Sequence, residues 1–193
     1  LFMSTDNTNS TEPAPRALRL RALDAEDLHI VSAMVQDAIV PVRDIGYDSE
    51  VLRFAMVINR FMWERCSPEA YEADANDGQQ ADDSQSFFRT LSAVRFEQVS
   101  RVEQRGIDQS KSCDMLDLLA IEQADEHTVK IHFAGGGSIR LTMVKLDCHF
   151  EDLGEAWPTQ CRPVHELDGS RTVECQDEVD QVGKFGEPAR AES

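Results

Sequence analysis

The chain of 193 residues carries 36 Asp and Glu against 19 Lys and Arg, a formal net charge of −17, with 41% hydrophobic residues. A field of that sign repels nucleic-acid phosphates and anionic lipid headgroups, both of which are held by clustered Lys and Arg, so neither nucleic acid nor membrane is an expected partner. The five cysteines are odd in number, irregularly spaced and without C-x-x-C, which points to a reducing compartment, hence a cytoplasmic location, and against a disulfide framework.

Residues 1–16, LFMSTDNTNSTEPAPR, are rich in Ser, Thr, Asn and Pro. They lack the basic start and apolar stretch of a signal peptide, and the composition is that of a disordered terminus. ALRLRAL then alternates Leu18, Leu20 and Ala22 against Arg19 and Arg21, the pattern of a half-buried strand. Asp24 is placed to cap a helix, with Asp27 as an acidic member of a capping box. Asp24, Glu26 and Asp27 also favour the positive end of the helix dipole. Leu28, Val31, Val35, Ala38 and Ile39 recur at helical spacing. Pro41 lacks a donor and restricts Val40, so the spacing predicts a helix over 25–39 packed by one face on a sheet.

Period-two patterns follow. In VLRFAMVINRFMWE, Leu52, Phe54, Met56 and Ile58 share one parity, while Val51, Ala55, Val57, Phe61 and Trp63 share the other. A strand apolar on both faces is central or covered. Residues 65–86 are acidic and aperiodic, an insertion loop. Strand signals resume in SFFRTLSAVRFEQVSRVEQRGI, which Gly106 ends or bulges. MLDLLAIEQ and TVKIHFA read as strands joined by a tight turn, and SIRLTMVKLDCHFEDL as a last strand ending in a short helix. From residue 158 the chain is polar and aperiodic, an expected disordered acidic tail. One domain over 17–157 is expected, of class α+β: a bent antiparallel sheet or partly closed barrel of about six to eight strands, with one helix after the first strand.

Gly135-Gly136-Gly137 raises the question of phosphate binding. A P-loop needs G-x-x-x-x-G-K-[ST] opening a helix, whereas Ser138, Ile139 and Arg140 follow here in a period-two run. The three glycines therefore read as a three-residue hairpin loop, with left-handed backbone supplied by glycine. That register pairs Phe133 with Ile139, Ile131 with Leu141 and Val129 with Met143. It sets Lys130 near Thr142 and His132 near Arg140 on the opposite face. A partly basic face in so acidic a chain makes Lys130, His132 and Arg140 candidates for contact with an anion or a partner.

Other chemistry is weaker. Cys148-His149 with Cys161-x-x-x-His165 has zinc-ligand residue types, but adjacent strand residues point to opposite faces. There is no G-x-S-x-G elbow and no recognisable nucleophile context, and no cofactor motif. In NRFMWE, Phe61 and Trp63 read as core, with Arg60 and Glu64 solvated. Arg105 and Asp108 in EQRGID read as a surface ion pair. The alternative gathers Arg60, Trp63 and Arg105 around a small-molecule pocket near Asn59–Glu64.

The segments LRLRALDAEDL, VQDAIV, RFAMVINRFMWE, RGID, LLAIE, FAGGGSIRL and EDLGEAW, in that order, resemble an uncharacterised alphaproteobacterial family catalogued as domain of unknown function 2948, over about residues 18 to 157. The resemblance implies a bacterial cytoplasmic protein. It brings no catalytic residue, cofactor or activity. The functional expectation is a non-catalytic binding or adaptor module rather than an enzyme. Its competitor is a small-molecule binder or enzyme of unrecognised class.

Overall fold

The computed structural model describes residues 17–66, 87–159 and 163. The chain divides into two compact units, residues 1–162 and 163–193, and the architecture below belongs to the first. The expected disordered terminus lies outside the described residues. So do most of the acidic insertion and nearly all of the tail.

One α-helix and eleven strands occur among the described residues: β1 Arg19–Ala22, α1 Ala25–Val35, β2 Ile39–Pro41, β3 Ile45–Asp48, β4 Arg53–Phe61, β5 Phe87–Phe96, β6 Val99–Arg105, β7 Met115–Asp125, β8 Thr128–Phe133, β9 Ser138–Met143, β10 Cys148–Asp152 and β11 Trp157–Thr159. They form one open antiparallel sheet in the order β1-β10-β5-β4-β2-β7-β8-β9-β6, with β3 added to β4 and β11 to β5. The expected class and the early helix are present. The strand count exceeds the expectation for a physical reason. Two long apolar runs are each broken once, at Glu97–Gln98 between β5 and β6 and at Val144–Asp147 between β9 and β10.

The two breaks meet. Glu97 N–H donates to Asp147 O at 3.0 Å, and Val144 N–H donates to Gln98 O at 3.3 Å. Gln98 adopts a left-handed φ of 58°. Both segments therefore turn the same corner, which lets β5 pair with β10 on one side and β6 with β9 on the other. No short helix ends the SIRLTMVKLDCHFEDL run, because its last residues form β10, paired with β1 and β5. Val99 N–H also reaches Leu52 O at 2.8 Å, so the start of β6 is fastened to the turn before β4.

Asp24 caps α1 as its sequence position requires, its carboxylate accepting from Asp27 N–H at 2.9 Å. The helix ends at Val35, not at residue 39. Asp37 takes a left-handed φ of 60°, and Ile39, Val40 and Pro41 become β2. Pairing with β7 wins here: Asp37 N–H donates to Leu118 O and Leu118 N–H to Ala38 O, each at 2.9 Å. Two β-branched residues before a proline favour that extended path. β7 bulges between Leu118 and Ala120. The hydroxyl of Ser32 on the helix accepts from Ile121 N–H beside that bulge at 2.8 Å.

The core lies between helix and curved sheet. Leu28, Val31 and Val35 face Phe54, Met56 and Ile58 of β4, Val94 and Phe96 of β5, and the inward residues of β7–β10. Phe133, Ile139, Leu141 and Met143 are all buried, so both arms of the glycine hairpin send their apolar set inward. The register differs from the expected one by two residues. Val129 pairs with Leu141, Ile131 with Ile139, Lys130 with Arg140 and His132 with Ser138. Phe133 N–H bonds Gly137 O at 2.9 Å, so the three-residue loop is Ala134–Gly136, one position earlier. The odd loop length keeps the parity intact. Gly135 (φ 72°) and Gly136 (φ 83°) supply the left-handed backbone, and Gly137 instead lets Ile107 approach, a side-chain carbon lying 3.4 Å from where a Cβ would stand.

Candidate functional site

Strands β7, β8, β9 and β6 present a common outward face, and their register arranges it in rows. One row across the strands reads Glu122, Lys130, Arg140, Glu103; the next reads Ala120, His132, Ser138, Arg105. Lys130 and Arg140 therefore stand directly opposite each other, where Cβ atoms are about 5 Å apart and like charges repel. Arg105 and His132 flank Ser138 on its two neighbouring strands. All five residues line a cleft of about 640 Å³ beside the glycine turn. The structure thus adds Arg105 to the three candidates Lys130, His132 and Arg140, and separates it from Arg60 and Trp63.

The charges on this face are only partly answered. Glu122 accepts from His132 Nε2 at 3.0 Å and stands 3.9 Å from Lys130 Nζ. Glu103 is held by Arg101 at 2.9 Å, although its register partner is Arg140. Among the described residues, Arg140 and Arg105 have no carboxylate within 4.0 Å, and the Ser138 hydroxyl has no hydrogen-bond partner. The expected Arg105–Asp108 pair does not form. Asp108 turns to Ser110 instead, accepting from its hydroxyl at 2.7 Å and its N–H at 3.0 Å. Those bonds hold the Asp108 carboxyl below the usual carboxylate range.

Arg60 was expected to be solvated or to line a pocket. It is fully buried instead, on the inward parity of β4 that Phe54, Met56 and Ile58 define. Its guanidinium grips Asp152 through Nε–Oδ1 and Nη2–Oδ2, both 2.9 Å, and Glu64 through Nη1–Oε2 at 3.0 Å and Nη2–Oε1 at 2.8 Å. Asp152 also accepts from the Ser92 hydroxyl at 2.7 Å and from Leu18 N–H at 3.3 Å. Burial opposes the charge on both partners. The mutual pairing outweighs it, so the Arg60 pKa rises and the Asp152 carboxyl stays below its ordinary range. This network ties the ends of β4 and β10 to the segment leading into β1, and it leaves Arg60 inaccessible to a ligand. The sequence carried one signal for it: a charged residue on a core-facing parity needs a buried counter-charge. Trp63 packs at a tilt against Phe61, centroids 4.6 Å apart, and its indole N–H donates to Gln36 O at 3.3 Å.

Cys148 and His149 point to opposite faces of β10. Cys148 is buried, its thiol pushed up to about 12 by burial and by the Asp147 charge. His149 lies outward, 3.1 Å from Asp147, which Arg21 also clamps at 2.9 and 3.0 Å. Cys161 and His165 lie outside the described residues.

A family model described as protein of unknown function (DUF2948) matches residues 18–165, and the chain belongs to that family. The match runs eight residues past position 157, where the sequence pattern placed the domain's end. No curated protein and no solved structure matches the chain. No helix among the described residues is long and apolar enough to cross a membrane.

Proposed function

We propose that this chain is a non-catalytic binding module of a bacterial cytoplasm, and that the outward face of β6–β9 holds an anionic group of its partner. One observation carries the reading. In a chain of net charge −17, three permanent cations and a histidine converge on one cleft, and two of the cations lack an acidic partner. Opposed Lys130 and Arg140 cost stability in the isolated protein. A bound anion relieves that repulsion and gains charge-assisted hydrogen bonds.

Fluorescence anisotropy of a labelled glutamate-rich peptide, together with competition by inorganic phosphate, tests this on the full chain. Saturable binding that disappears in Lys130→Glu/Arg140→Glu, with the circular dichroism spectrum unchanged, supports it. Equal binding by wild type and variant, or no saturable binding of either anion, removes it.

A further inference from the structure

Resting on that reading, we infer that the cleft is built for a phosphate monoester: a small organic molecule with one terminal phosphate and an uncharged body. The donors are what distinguish a phosphate from a carboxylate. A carboxylate offers two oxygens whose lone pairs lie in one plane, whereas a phosphate monoester offers three terminal oxygens in a tetrahedral array. Here the donors come from three strands and two rows. Strands lie about 4.8 Å apart and same-face residues about 6.8 Å apart along a strand. Arg105 and His132 therefore stand on either side of Ser138, with Lys130 and Arg140 one row away. From those positions Arg and Lys side chains are long enough to extend to a common point above Ser138, where its hydroxyl would add a neutral donor from below. Three oxygens of a tetrahedral dianion can each meet a different donor there, and the two positive charges without acidic partners match its charge.

The rest of the cleft defines the body of the ligand. Its volume of about 640 Å³ far exceeds that of a phosphate group. One flank is Gly135, Gly136 and Gly137, which carry no side chains. Close by lies Leu119, the residue extruded by the β7 bulge and 44% exposed. Neither carries a charged side chain, so they suit an uncharged, flat or apolar moiety. The two acids in these rows, Glu103 and Glu122, are held by Arg101 and by His132 with Lys130. Glu122 competes with the ligand for His132 and Lys130, so its removal should tighten binding.

Amide and arginine side-chain NMR on the full chain, at fixed ionic strength, compares phenyl phosphate, inorganic phosphate, benzoate and the glutamate-rich peptide. Phenyl phosphate is expected to shift Leu119, Arg105, Ser138 and Arg140 saturably and to bind at least tenfold tighter than benzoate. Arg105→Gln and Arg140→Gln should each weaken it about tenfold, the scale of one charge-assisted hydrogen bond. Glu122→Gln should strengthen it, a gain that a misfolded variant cannot mimic. Benzoate binding as tightly as phenyl phosphate would overturn the monoester assignment. So would a glutamate-rich peptide that binds the face while both phosphates do not, an outcome that leaves the proposed function standing. Failure of every anion would remove both.

Discussion

Replacing Arg60 with methionine isolates the largest buried electrostatic commitment in the fold. Methionine keeps much of the volume beside the Phe150 ring, which lies 5.5 Å from the guanidinium carbon, but removes four N–H···O bonds. The two carboxylates are affected unequally. The Glu64 side chain is 36% exposed and can rehydrate, whereas that of Asp152 is 6% exposed and keeps only Ser92 and Leu18 N–H. Stranding one partner of a buried pair costs about 3–5 kcal/mol, and the two remaining donors place this case near 3 kcal/mol. At roughly 2–4 °C per kcal/mol for a domain of this size, Tm falls by about 6–12 °C. The pH dependence has a definite sign. In the wild type the Asp152 carboxyl is depressed, so its contribution is present above the unfolded carboxylate range and lost as pH falls through the folded value. In the variant, burial without a cation raises it, so protonation relieves the penalty on acidification. The deficit should be largest at pH 7 and smaller near pH 4.5 in urea denaturation followed by circular dichroism. A loss below about 1 kcal/mol, equal at both pH values, would show that Arg60 and Asp152 are not a buried pair. Joint replacement by Arg60→Met and Asp152→Leu should recover most of the loss.

Three further outcomes follow from particular contacts. Gly136→Val places a β-branched residue at φ 83° and should cost about 2 kcal/mol, while Gly46→Ala, with open space around it, should stay within about 0.5 kcal/mol in the same denaturation assay. Mass-spectrometric mapping after iodoacetamide treatment at pH 8 should find exposed Cys113 alkylated and buried Cys148 unmodified until denaturant is added. Because the Cys148 value is raised, its contribution is intact below the unfolded thiol range and declines as pH rises toward about 12. Arg21→Gln should raise the Asp147 carboxyl from its lowered value, above all by removing the Arg21 hydrogen bonds, and NMR titration of the Asp147 side chain should show the change.

How much the sequence revealed varies with the range of the signal. Asp24 and the 28–31–35 spacing located α1 because cap and stripe are local. Period two located both arms of the glycine hairpin, and the odd loop put Phe133 and Ile139 on one face. The exact register was not local. Moving the loop by one residue preserves parity, and Ile107 packing against Gly137 accompanies the observed choice. The end of α1 was misplaced because Ala38 and Ile39 fit a helical stripe as well as a strand, and only pairing with β7 separates the two. The corner at Glu97–Gln98 and Val144–Asp147 rests on hydrogen bonds between segments far apart in sequence, which no window of residues contains. At the site, Lys130, His132 and Arg140 were visible as one face of a hairpin. Arg105 joined them only once β6 was known to pair with β9 rather than with its sequence neighbours.

The central claim is that the outward face of β6–β9 is an anion-binding surface held at a cost to the unliganded fold. Comparing the wild type with Arg140→Gln by urea denaturation, first in chloride and then in phosphate at equal ionic strength, addresses both halves. In chloride the variant should be equal or more stable, by a few tenths of a kcal/mol, because the repulsion with Lys130 is gone. Phosphate stabilises both through its general exclusion from protein surface, and the wild type should gain more than the variant by the binding contribution. A variant that is less stable in chloride and gains as much from phosphate as the wild type would contradict the account.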